Sequence, residues 1–139
     1  MGEVKTYSPD KVSLADGSHI VTGFAEDSFI VITPNGDGTS YVRGADGEIA
    51  RTVNMNNMYT VKITLLQTSA SNEYFQKRYD KDQNDGDAID PITIKDLMGK
   101  EKFFGQKSWV TKPAERKKGK TQENIEWEIV VAEGGYTNE

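Results

Sequence analysis

Few side chains in this 139-residue sequence are equipped for chemistry, and each can be held against the geometry its reaction would need. His19 is the sole histidine and follows a predicted turn, so as a general base it would work without a titrating partner. No serine sits in a nucleophile elbow. The absence of cysteine removes thiolate nucleophiles, disulfides and thiolate metal sites together. Gly36-Asp37-Gly38 begins like a phosphate-cradling loop, but the third glycine of the dinucleotide fingerprint falls on Tyr41 and no helix pattern follows. The tract Asp80-Lys81-Asp82-Gln83-Asn84-Asp85-Gly86-Asp87 places Asp80, Asp82 and Asn84 where a calcium loop wants its first ligands. That frame then puts Asp85 at the glycine turn and Pro91 at the bidentate glutamate. Sliding the frame by one restores Gly86 but makes Lys81 and Gln83 ligands, so the tract reads as a solvated helix end. No catalytic, metal or cofactor set converges, and an enzyme is the weakest of the function classes.

Charge is distributed more tellingly than its sum of −5. Residues 1–99 carry 9 basic and 15 acidic groups, residues 100–120 carry 8 and 2, and residues 121–139 carry none and 5. The core of the basic block is Lys112-Pro113-Ala114-Glu115-Arg116-Lys117-Lys118-Gly119-Lys120, which has no interleaved aromatic for stacking nucleobases. It reads as a loop tip between strands, solvated or ion-paired to another copy, since a basic patch between acidic stretches suits self-association. No apolar run approaches the roughly 20 residues that cross a bilayer, and residues 1–5 lack a signal-peptide core, so the expectation is no membrane and no secretion.

The elements that would carry these residues are mostly strands. In 58–67, Tyr59, Val61, Ile63 and Leu65 alternate with Thr60, Lys62 and Thr64, the period of a strand with one buried face. Residues 124–132 repeat it, with Ile125, Trp127, Ile129 and Val131 against Asn124, Glu126 and Glu128. Weaker strands are expected at 11–14, 19–21, 40–43, 48–53, 92–94 and 107–111, with a doubly buried one at 29–32 and Trp109 facing the core. Turn residues mark 34–38 and 54–57 as loops. One helix is expected over 71–84, capped by Ser71 or Asn72, with Tyr74, Phe75 and Tyr79 along one side and a frayed end in 80–87. Together these give a single mainly β domain over residues 1–139: a two-sheet sandwich or partly open barrel with one flanking α-helix.

Taken in order, Tyr7-Ser8-Pro9-Asp10-Lys11-Val12, Gly23-Phe24-Ala25-Glu26-Asp27-Ser28-Phe29-Ile30, Gly44-Ala45-Asp46-Gly47-Glu48-Ile49-Ala50-Arg51 and Leu65-Leu66-Gln67-Thr68-Ser69-Ala70-Ser71-Asn72 form a recognisable series. The series resembles the tail tube proteins of contractile-tailed bacteriophages, over roughly the whole chain and most densely across 20–75. The resemblance implies six copies in a ring whose inner strands close a continuous barrel, with rings stacked into a tube inside a sheath. It implies as partners the chain itself, the sheath, the baseplate and the tail terminator, with double-stranded DNA passing through unbound, and it places the protein in the virion tail after assembly in the host cytoplasm.

On that reading Thr60, Lys62 and Thr64 face the lumen, with residues 40–53 supplying the strand paired beside them. A net-negative lumen would let DNA slide, so Lys62 needs a neighbouring carboxylate to offset it. Asn35, Asp37, Asn56, Asn57, Arg116, Lys117 and Lys118 are the candidates for contacts between subunits or rings, and the tails 1–7 and 134–139 are further ones. The alternatives are another ring-forming tail component, such as a terminator or baseplate protein, and a stand-alone β-sandwich that binds sugar or protein.

Overall fold

The computed structural model describes residues 12–25, 29–53, 57–96, 99 and 101–138. Chain order runs β1 (Val12–Asp16), β2 (His19–Ile20), β3 (Ile30–Pro34), β4 (Thr39–Arg43), β5 (Ile49–Val53) and β6 (Tyr59–Leu66). It continues with α1 (Ser71–Asp85), β7 (Asp90–Asp96), β8 (Glu101–Val110) and β9 (Asn124–Asn138). Seven strands form one sheet in the order β2-β1-β7-β8-β9-β6-β3, while β4 and β5 pair only with each other. The fold is mainly β with one helix, and the large sheet stays open, ending in β2 and β3.

Alternation drives the centre of the sheet. Val61, Ile63 and Leu65 of β6 stand opposite Ile129, Trp127 and Ile125 of β9, and all six side chains are buried. Helix α1 closes over that face. Phe75 is fully buried against Trp127, with ring centroids 5.7 Å apart, and aromatic burial of this size contributes several kcal/mol before the conformational entropy is counted.

The start of the helix differs from the expectation. Its N-cap is Ala70, with no side-chain cap. Ser71 and Asn72 lie inside the first turn and are spent on the core instead. Ser71 Oγ accepts the Thr22 amide at 3.1 Å and meets His19 Nε2 at 2.9 Å. Asn72 donates to the Leu66 and Ser69 carbonyls and accepts Trp127 Nε1–H at 2.9 Å, so one amide fixes the helix start, the preceding turn and the core indole. At the other end the helix does not fray at Asp80. It runs to Asp85 and stops at Gly86, whose φ of 70° is the left-handed cap that glycine adopts without strain.

Arg78, one helical turn past Tyr74, is buried and reaches three strands and the link between α1 and β7. Its guanidinium donates to Asp16 Oδ2 of β1 at 2.5 Å and to the carbonyls of Ala88 and Ser108 at 3.0 and 2.9 Å. Its Nε lies 3.4 Å from Asp90 Oδ2 of β7. Asp16 is fully buried, and its Oδ1 has no hydrogen-bond partner among the described residues. Burial pushes the Asp16 carboxyl up to about 6 against the opposing pull of Arg78.

Three further expectations are corrected. β3 is an edge strand rather than a doubly buried one, with Val31 exposed by 41%, because only β6 pairs with it. Trp109 stands opposite Val130 on the face away from the core and is half-buried, whereas Trp127 takes the core position. Residues 40–53 do not pair with β6, whose two neighbours are β9 and β3.

Two outcomes test this packing. A Cβ at Gly105 would lie 2.1 Å from Val131 Cγ1 and 3.1 Å from Ile92 Cγ2, so Gly105→Ala should cost about 1–3 kcal/mol, read from the urea midpoint. The Asp16 carboxyl binds its proton more tightly in the folded chain than its ordinary value of 3.8, so its contribution to stability is greatest in acid and is lost as pH rises through about 6. Relative to Asp16→Asn, the wild type should therefore lose about 2 kcal/mol between pH 4 and pH 7. A difference that stays flat or rises with pH would contradict the burial argument.

Candidate assembly surfaces

The sheet has two faces, and α1 covers one. Thr60, Lys62 and Thr64 all project from the other, as their alternation with Val61, Ile63 and Leu65 requires. Across the strand gap they face Val130, Glu128 and Glu126 of β9. Lys62 thus has Glu128 as its direct cross-strand neighbour and Glu126 two residues along, the offsetting carboxylates that a lumen-facing lysine would need. A groove of about 320 Å³ opens beside them, lined by Lys62, Glu126 and Glu128 and by Lys112, Glu115 and Lys117 of the segment joining β8 to β9.

That basic segment is anchored where a free loop tip was expected. Thr111 N–H donates to the Glu128 carbonyl at 3.2 Å, and Ala114 packs on the hydrophobic core. The Arg116 guanidinium lies 5.9 Å from the Trp127 ring centroid and donates to Gln76 Oε1 of α1 at 2.6 Å. Arg116 is therefore engaged within its own chain. Lys117 makes a 3.8 Å pair with Glu115, exposed on both sides and worth little in water, and Lys118 projects into solvent.

Asn35, Asp37 and Asn57 gather at the opposite end of the sheet. Asn35 donates its amide to Met58 O at 2.9 Å, and its Oδ1 accepts Thr60 Oγ1–H at 2.8 Å. Asn57 O accepts Gly134 N–H at 3.0 Å, and Asp37 is exposed in the link between β3 and β4. Asn56 lies outside the described residues, as do 1–7. The eight residues of β6 separate this end from the basic segment, a span of about 26 Å.

Sequence reasoning missed the most conspicuous surface. All ten strand residues of the β4–β5 hairpin are exposed, and Tyr41, Val42, Ile49 and Val53 show 71%, 71%, 61% and 66% of their surface to solvent. The register places Thr39, Tyr41, Arg43, Ile49, Arg51 and Val53 on one face and Ser40, Val42, Ala50 and Thr52 on the other. Apolar residues on both faces of a predicted hairpin were the available signal. Apolar exposure of this kind marks an interaction site.

An open antiparallel sheet backed by one helix is a fold found in the tube machinery of contractile injection systems. The structure is similar to the sheath–tube complex of the extracellular contractile injection system PVC, with a TM-score of 0.64 and 10% identity, covering 96% of this chain and 92% of that one. It is likewise similar to the PVC sheath/tube terminator, at 0.63 and 11% with 98% and 99% covered. The tube-terminating cap of the anti-feeding prophage follows at 0.61 and 8%, with 100% and 95% covered. In sequence the chain is 27% identical over 146 residues to structural protein ORF10 of Pseudomonas phage KPP10, covering 99% of this chain and 74% of that protein. The chain belongs to the family described as Bacteriophage PhiTE tail tube protein, whose model matches residues 11–134. It is a structural protein of a phage tail tube family.

Removing the Arg116 anchor should free the basic segment without unfolding the sheet. Arg116→Ala is expected to change global stability by no more than about 1–2 kcal/mol, the worth of one exposed cation–π contact and one hydrogen bond. A lysine-specific protease should then cut after Lys117 and Lys118 several times faster than in the wild type, and equal rates would mean that Arg116 does not hold the loop.

Proposed function

We propose that this chain builds the inner tube of a contractile phage tail, as hexameric rings that stack into a conduit for the genome. The observation that carries the reading is the unfinished state of the isolated fold. The β4–β5 hairpin exposes Tyr41, Val42, Ile49 and Val53, and the outer edge of β3 pairs with no strand among the described residues. Open edges and apolar ribbons are liabilities in a monomer and are removed when strands continue into a neighbouring copy. Membership of a tail tube family supplies the context.

On this reading the face bearing Thr60, Lys62 and Thr64 lines the lumen. Glu126 and Glu128 outnumber Lys62 on the two strands, and with Lys112, Lys117 and Glu115 beside them the face is balanced in charge, so it offers DNA phosphates no net positive field. Asn35, Asp37 and Asn57 at one end, with Lys117 and Lys118 at the other, lie where successive rings would meet, and Asn56 belongs with the first group by sequence. The helix side turns outward toward the sheath, and the baseplate and terminator meet the two ends of the tube. The protein then resides in the virion tail. A second reading, a terminator or cap that forms a single ring, is favoured by the likeness to a cap and a terminator.

Negative-stain microscopy with light scattering separates these readings. Hollow stacked tubes are the expected result, and single rings that never stack would favour the terminator. A chain that stays monomeric at high concentration and with other tail proteins present would overturn both. Serine at Tyr41, Val42 and Ile49 together should abolish assembly while leaving the circular dichroism spectrum and melting temperature of the subunit nearly unchanged, because exposed residues add little to the core.

A further inference from the structure

Arg116 of the basic segment touches the start of α1, whose other end is acidic, while Lys112 and Lys117 of the same segment reach the groove on the opposite face. Arg116 fastens the segment to Gln76, in the second turn of the helix. The helix then runs on to Asp85, with Asp87 just beyond its glycine cap. Nine residues of helix separate Gln76 from Asp85, about 14 Å. That exceeds the Debye length of about 8 Å at physiological salt, so the two patches barely neutralise one another within a copy.

Neither patch is held by a short ion pair among the described residues. Among the described residues, no ion pair within the chain engages Lys118, Lys120 or Asp85, and those of Lys117 and Asp87 are long, at 3.8 and 3.9 Å, and exposed. The lysines are also pre-positioned. A bare loop would lose its freedom on docking, whereas this one is already tied down through Ala114 and Arg116.

A surface with a fixed cationic end and an anionic end is complementary to itself only head to tail, the heterologous geometry that propagates copies instead of pairing them. We propose that the lysine segment of one copy, held by Arg116, docks on the acidic C-terminal turn of α1 in the next copy. This rests on the self-assembly reading above and adds to it the polarity of the contact and the residues that set it.

Charge reversal at both ends tests this directly. Lys117→Glu with Lys118→Glu is one variant, and Asp85→Lys with Asp87→Lys is the other. All four positions are exposed, so each variant should fold, as checked by circular dichroism. Each alone is expected to weaken self-association at least roughly tenfold by sedimentation, since like charges then face each other. An equimolar mixture should restore it, because copies alternating around an even-numbered ring, or from ring to ring, meet opposite charge at every contact. Carrying all four substitutions in one chain should restore it as well. Variants that assemble like the wild type, or a mixture that stays dissociated, would overturn the proposed contact and leave the tube reading standing. A wild type that never self-associates would overturn both, and that outcome is distinguished by the wild-type control alone.

Discussion

Everything on the helix side of this subunit depends on one buried guanidinium. Arg78 holds Asp16 on β1, the carbonyl of Ala88 between α1 and β7, the carbonyl of Ser108 on β8, and stands beside Asp90 on β7. A cation taken out of water must be satisfied from several directions at once, so these elements have one mutual placement that avoids a desolvated charge. Such a centre adds little net stability, since the desolvation of both ions offsets most of their attraction. What it fixes is position: the helix seals one face of the sheet in a single orientation and leaves the opposite face, its open edge and its hairpin for other molecules.

The sheet's centre was legible because burial there follows strict alternation. β6 and β9 could be marked from Tyr59, Val61, Ile63 and Leu65 and from Ile125, Trp127, Ile129 and Val131, and their outward residues followed by parity. Partners were harder to read. Residues 40–53 carry a strand pattern that any neighbour would satisfy, and nothing local distinguishes pairing with β6 from pairing within a hairpin. Residues 29–32 are continuously apolar, which reads as doubly buried. On an edge the same composition describes a strand awaiting a neighbour.

Polar residues were misplaced for a related reason. Ser71 and Asn72 fit the statistics of a helix cap, but the turn at Ser69 and the indole of Trp127 compete for their hydrogen-bonding groups and win, because those partners are buried and would otherwise go unsatisfied. Arg78 looks like a solvated helix residue until Asp16 is brought against it across 62 positions of sequence. Arg116 is similar: a lysine-rich run suggests a wet tip, and only the fold sets Trp127 and Gln76 within its reach. Solved structures of the same fold at 8–11% identity fit this account, since alternation and sheet order tolerate wide substitution.

The hairpin has a kinetic consequence. A two-stranded ribbon with no cover is marginally stable in water, so holding Thr39–Arg43 against Ile49–Val53 in a lone subunit gains little. If the chain builds a tube as proposed, joining a growing end would include a folding step, with ordering entropy paid at the moment of contact. The first few copies bear that cost without a template, whereas later ones meet a ribbon site already formed. On the tube proposal nucleation would thereby be slow and elongation fast, a separation that would keep free subunits from polymerising before a starting platform is present.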